Sequence, residues 1–157
     1  MKNSITHIST PVKKTFEAFT AGFESALGHF DHDAMNLIRQ EPEKARAAIE
    51  KMQGVVGLMV FTIEDHGTVL LLEDQVKKVK QYRVGNPLIA MTMTMHDVRA
   101  ALYVPLSIVI YENANGVVVV DYDQPSSLLG QFGNQKILEV AESLDQKLIK
   151  LIYLADN

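Results

Sequence analysis

The chain has 157 residues, 47% of them hydrophobic, which suits one compact domain (1–157) burying about 70% of the surface its unfolded form exposes. It has no cysteine, so disulfides, thiolate catalysis, Cys-ligated zinc and iron–sulfur clusters are excluded. With a formal net charge of -4 and no run near the ~18 apolar residues of a membrane span, neither nucleic acid nor membrane is expected as a partner.

The first thirty residues have charged and polar residues spread throughout and lack the continuous apolar stretch of a secretory signal, so a cytoplasmic location is expected. "ITHIST" (5–10) alternates weakly and predicts a first strand, closed by Thr10 and Pro11. Phe16, Phe19, Phe23 and Leu27 recur at helical spacing, predicting a helix from about Pro11 to Leu27 with Gly28 as its left-handed cap. A short turn-helix follows in "DHDAMNLIRQE", then a helix from Pro42 to Gln53, stopped by Gly54. "VVGLMVFTIEDHGTVLLLED" is β-branched and apolar around a polar tip, Glu64 to Gly67, and predicts a hairpin of two buried strands, with Gly67 at positive φ.

"VKKVKQYRVGNP" supplies a strand whose outward face is basic. The stretch "MTMTMHD" (91–97) poses a choice. As a strand it would line up Met91, Met93 and Met95 as a thioether row, the beginning of a soft-metal site. Asn86-Pro87, a good N-cap before the residue preorganised for a first helical turn, argues instead for a helix that scatters the methionines into core packing. Asp97 then caps a further short helix. "PLSIVIYENANGVVVVDYD" is a hairpin turning at Asn113 to Gly116, and Asn134 caps a last helix whose Ile137, Ala141, Leu144, Leu148 and Leu151 form one apolar stripe. Hairpins flanked by helices indicate an α+β fold, an antiparallel β-sheet with helices packed on one face. The other face is expected to be covered by a second copy, giving a homodimer.

"YRVGNPLIA", followed by "HDVRAALYVPLSIVIYE", "VVVDYDQPSSLLGQF" and "LDQKL", resembles the bacterial family called domain of unknown function 302 over roughly residues 54–148. The resemblance implies a TBP-like fold, a β-α-β(4)-α core often found as a homodimer, with the Pro42 to Gln53 helix as additional material. It implies no activity.

Several residues carry candidate chemistry. His66, beside Glu64 and Asp65, and His96, beside Asp97, are candidate metal ligands; a carboxylate neighbour raises imidazole basicity and orients the ring. The alternative for His66 is a solvated turn. His29 and His32 have the spacing of a zinc pair but no second pair, and histidines near helix ends commonly contact terminal carbonyls. Lys77, Lys78, Lys80 and Arg83 around Tyr82 suit an anionic ligand or a stacked nucleic-acid base, against the simpler reading of a solvated strand face. Ser126 and Ser127 lack a nucleophile elbow, and no phosphate-cradling glycine spacing occurs. The expected function is binding of a small ligand, metal or cofactor, with a transition metal or haem as candidates. Tyr82, Asn86 and Met93 are the expected ligand contacts, and His66 and His96 the metal contacts. The alternatives are an enzyme using His66 and Asp65 as an acid/base pair, and an interaction module without pocket chemistry.

Overall fold

A computed structural model describes residues 2–157. Its strands are β1 (His7–Val12), β2 (Gly28–His29), β3 (Met59–Asp65), β4 (Val79–Gly85), β5 (Leu106–Glu112) and β6 (Val118–Asp123). They form a six-stranded sheet in the order β1-β6-β5-β4-β3-β2, antiparallel except for the short β2–β3 pair. Side chains alternate across such a ladder, so Tyr82, Val84, Ile108, Ile110, Val118 and Val120 share one face. Against them pack Phe19 and Phe23 of α1 (Phe16–Ala26) and the Ile137, Ala141, Leu144, Leu148 and Leu151 stripe of α7 (Gln135–Asp156), forming the main core. The fold is α+β.

Local hydrogen bonding accounts for the elements that match expectation. Asn86 Oδ1 accepts the Leu88 N–H at 2.9 Å and starts α5 (Pro87–Thr94), so the methionines separate: Met93 is buried while Met91 and Met95 are exposed. Asp97 caps a 3-10 turn over Val98–Leu102, accepting from Arg99 N at 3.0 Å. The Asn113 carboxamide accepts from the N–H groups of Asn115 and Val117, closing the β5–β6 turn with Gly116 at φ 75. Pro125 opens the short α6 (Pro125–Leu129), and Asn134 accepts from Lys136 and Ile137 to begin α7.

Five expectations are corrected. Helix α1 starts at Phe16, capped by Thr15, because Pro11 belongs to β1; there it pairs with Val119 on a marginal strand, where a missing N–H is tolerated. Gly28 is not a left-handed cap but enters β2. A side chain on it would sit 1.5 Å from the Met52 carbonyl oxygen, so glycine is required by the close approach of the chain leaving α3 (Pro42–Lys51). The 55–74 hairpin does not form: its second half is α4 (His66–Leu70) and a 3-10 turn over Leu71–Glu73, and β3 pairs with β4 instead. The helix wins because Asp65 caps it, accepting the Thr68 N–H and hydroxyl at 3.0 Å each. Gly67 has no positive φ and is glycine because a Cβ would lie 2.4 Å from the Lys77 carbonyl. Lastly, Lys80 does not point outward: it shares the Tyr82 face and meets Glu24 of α1 at 3.2 Å.

Strand β3 carries a bulge: Val60 pairs with Val84 and Thr62 with Arg83, leaving Phe61 as the extra residue. Met59 pairs with Gly85 and so lies on the face opposite Val60 and Val84. There it packs with Ala34 of α2 (Asp33–Leu37) and Ile49 of α3 as a second small core at the β2–β3 margin. Among the described residues no helix is long and apolar enough to cross a membrane.

Candidate functional site

Where β4 runs into α5, the chain turns away from the sheet and leaves a gap beside the start of β5. A cavity of about 220 Å³ lies there, walled by Met93, Ala90 and Ile89 of α5, Pro105 and Leu106, Leu144 of α7, and the ring of Phe61. The bulge aims Phe61: freed from the ladder, it stacks on Phe30 with ring centroids 4.5 Å apart. His32 stands edge-on to Phe30 at 4.9 Å and, with Met35, forms the exposed mouth. Among the described residues His32 is the one titratable side chain in the wall.

Asn86 borders this cavity, yet both ends of its carboxamide are already engaged. The oxygen caps α5, and Nδ2 donates to the Gly57 carbonyl at 2.8 Å. Its role here is to fix the angle at which α5 leaves β4. Met93, buried in the wall, presents a thioether and methylenes to the interior. Of the three expected ligand contacts, then, the structure brings Asn86 and Met93 to one cavity.

Tyr82 lies elsewhere, within the main core. Its hydroxyl donates to Glu24 Oε1 at 2.8 Å, an oxygen that also accepts from Lys80 Nζ. Burial first, and the Glu24 carboxylate second, push the phenol far above its ordinary range. Two of the four basic residues around it are paired within the chain: Lys78 reaches Glu17 at 2.9 Å and Glu112 at 3.5 Å, and Lys80 reaches Glu24.

The two histidines proposed as metal ligands are not brought onto one ion. His66 follows the end of β3 that pairs with Lys80, whereas the chain toward His96 leaves β4 at Gly85, about 17 Å further along the strand at ~3.3 Å per residue. His66 Nε2 meets Gln81 Oε1 at 3.3 Å and does not touch Asp65. Asp65 is committed to Thr68, whose N–H and hydroxyl hold the carboxyl below its usual range. Among the described residues no three His, Asp or Glu side chains gather to hold a metal, the His29/His32 pair included. Among the described residues, then, neither His66 nor His96 has the further His, Asp or Glu side chains beside it that would complete a metal site.

The residues missed from sequence are Phe30, Phe61, Pro105 and Leu144, which reach the cavity from four separate segments. Only one local signal pointed to them: an isolated Phe30 in the otherwise polar "GHFDHD".

Comparison with known proteins supports the fold. No curated protein sequence matches the chain. A crystal structure of an uncharacterised conserved DUF302 protein from Bacillus stearothermophilus is similar to it with a TM-score of 0.67 and 15% identity, covering 95% of this chain and 97% of that one. The family model "Domain of unknown function DUF302" matches residues 35–154, a span that takes in the Pro42–Lys51 helix once set apart as additional. On that match, the chain belongs to the DUF302 family.

Proposed function

We propose that this protein binds a small, uncharged, mostly apolar molecule in the cavity between β4, α5 and the Phe30–Phe61 pair. The observation that carries this reading is a preformed apolar cavity where, among the described residues, the one neighbouring carboxamide already has each end bonded to the backbone. Ligand sites are typically concave, largely apolar and preformed, with few polar groups. An apolar protein cavity of about 150 Å³ accommodates benzene, so one of about 220 Å³ has room for a second fused ring. A carboxylate or ammonium placed inside would lose its water without gaining a partner. His32 at the mouth offers a single hydrogen bond to a polar tip on the ligand.

Indole and indole-3-carboxylate test this reading, measured by ligand-detected NMR and by thermal shift. Indole is expected to bind at least about 10-fold more tightly than the carboxylate, a difference of ~1.4 kcal/mol. Ala90→Trp, which fills the cavity from α5, is expected to abolish binding while leaving the circular dichroism spectrum unchanged. Failure of indole to bind, or equal binding by the Ala90→Trp variant, overturns the reading.

A further inference from the structure

Arg83 leaves β4 on the face opposite Tyr82 and Val84, where it donates to the hydroxyl of Ser107, its register partner on β5. Asp123 follows Tyr122, the partner of Ile108, and so lies beside Ser107 on the next strand, β6. A separate cavity of about 230 Å³ is lined by these three side chains at one end and by Ile5, Leu102 of the 3-10 turn and Leu128 of α6 at the other. Pro105 and Leu106 border both this cavity and the first. Two opposite charges in its wall are left open. Among the described residues no carboxylate comes within ion-pair distance of Arg83. Asp123 meets His7 through Oδ1 at 2.9 Å, while its Oδ2 has no hydrogen-bond partner among the described residues. His7 also meets Asp121 at 3.3 Å, so even a charged imidazole offsets just one of two carboxylates, and this side of the cavity keeps a net negative charge.

We propose that this cavity binds a free α-amino acid with an apolar side chain, its carboxylate on Arg83 and Ser107, its ammonium on Asp123 and its side chain against Ile5, Leu102 and Leu128. The spacing suits that ligand. The guanidinium ends at Ser107 on β5, and neighbouring strands stand ~4.8 Å apart, so the acid on β6 is one strand away. A free amino acid carries its nitrogen and its carboxyl carbon about 2.5 Å apart on one carbon, short enough to fit between the two groups and hydrogen-bond to each. Arginine matches a carboxylate with two parallel N–H groups, and the Ser107 hydroxyl, which accepts from Arg83, has its own proton to donate. A simple anion would satisfy Arg83 but face Asp123, and a simple amine would meet the reverse; a zwitterion answers both. An apolar cavity of about 150 Å³ accommodates benzene, so one of about 230 Å³ has room for the head group and a side chain of leucine's size. This ligand differs from that of the first cavity, whose wall offers no charged partner of either sign to a zwitterion.

Calorimetric titration of the full chain with L-leucine tests this, beside three compounds that each lack one part of it: 4-methylpentanoate without the ammonium, 3-methylbutylamine without the carboxylate, and glycine without the side chain. Leucine is expected to bind at least about 10-fold more tightly than any of the three. Arg83→Gln and Asp123→Asn are each expected to weaken leucine binding at least about 10-fold. Selectivity separates this from a loss of fold: Asp123→Asn removes the charge that opposes an anion and is expected to strengthen binding of 4-methylpentanoate, while Arg83→Gln is expected to strengthen binding of 3-methylbutylamine. Absence of leucine binding, equal binding of any of the three partial compounds, variants that bind leucine as the wild type does, or variants that weaken all four compounds alike would each overturn the proposal.

Discussion

Replacing Asn86 is the sharpest probe of how the cavity is held. The side chain is buried, 3% exposed, and makes two hydrogen bonds, accepting from Leu88 N–H at 2.9 Å and donating to Gly57 O at 2.8 Å. Asn86→Ala removes the cap, at about 1 kcal/mol, and leaves the Gly57 carbonyl without its donor, at about 1–3 kcal/mol more. A total near 3 kcal/mol corresponds to a fall in Tm of about 6–12 °C for a chain of this size. Asn86→Asp separates the two effects, since it keeps the capping oxygen but sets a buried carboxylate against the Gly57 carbonyl. Burial and that carbonyl raise the new carboxyl above its unfolded value, so the variant regains stability as pH falls through the raised value and loses it as pH rises. Urea denaturation of the three proteins between pH 4 and 8 checks this. If Asn86→Ala lost less than about 0.5 kcal/mol, the carboxamide would not be what sets the start of α5.

Two further outcomes follow from the charged clusters. The His7 imidazole, raised above its ordinary 6.5 by hydrogen bonds to Asp123 and then Asp121, contributes stability that is complete below 6.5 and fades as pH climbs through the raised value. An NMR titration should show that raised value, and Asp123→Asn should lower it more than Asp121→Asn does; the reverse order would refute the assignment. Tyr82→Phe removes a hydrogen bond to a half-buried carboxylate that water and Lys80 can still reach, so a loss of about 1–2 kcal/mol is expected, read by thermal unfolding. No change in Tm would show that the Glu24 contact is idle.

What the sequence made legible was chemistry completed within a few residues. Asn86, Asp97, Asn113 and Asn134 each bond backbone N–H groups two to four positions ahead, and each marks its turn or helix start correctly. Elements settled by distant contacts were opaque. Thr68 to Glu73 has strand composition, but the Asp65 cap and the approach of Gly67 to Lys77 make it helical, a tertiary override of weak β-preference. The two residues of β2 exist only through pairing with Met59 and Val60. At the candidate site, Met93 followed from helical spacing, and Asn86 followed from its place before Pro87 as the cap of α5. Phe30, Phe61, Pro105 and Leu144 carry no shared local pattern, because folding alone makes them neighbours.

The surplus residue in β3 reaches further than the local kink it makes. Were the strand regular from Thr62 upward, Phe61 would face Val84 inside the main core, Val60 would turn to the opposite side, and Met59 would have no strand partner at Gly85. With one residue looped out, the parity of everything before it is inverted. Val60 joins the main core, Met59 is handed to the small core with Ile49, and the phenyl ring between them becomes a wall of the cavity. Deleting Phe61 should therefore do more than remove one aromatic side: it should reassign its two predecessors to each other's surroundings and loosen α2 and α3 from the sheet.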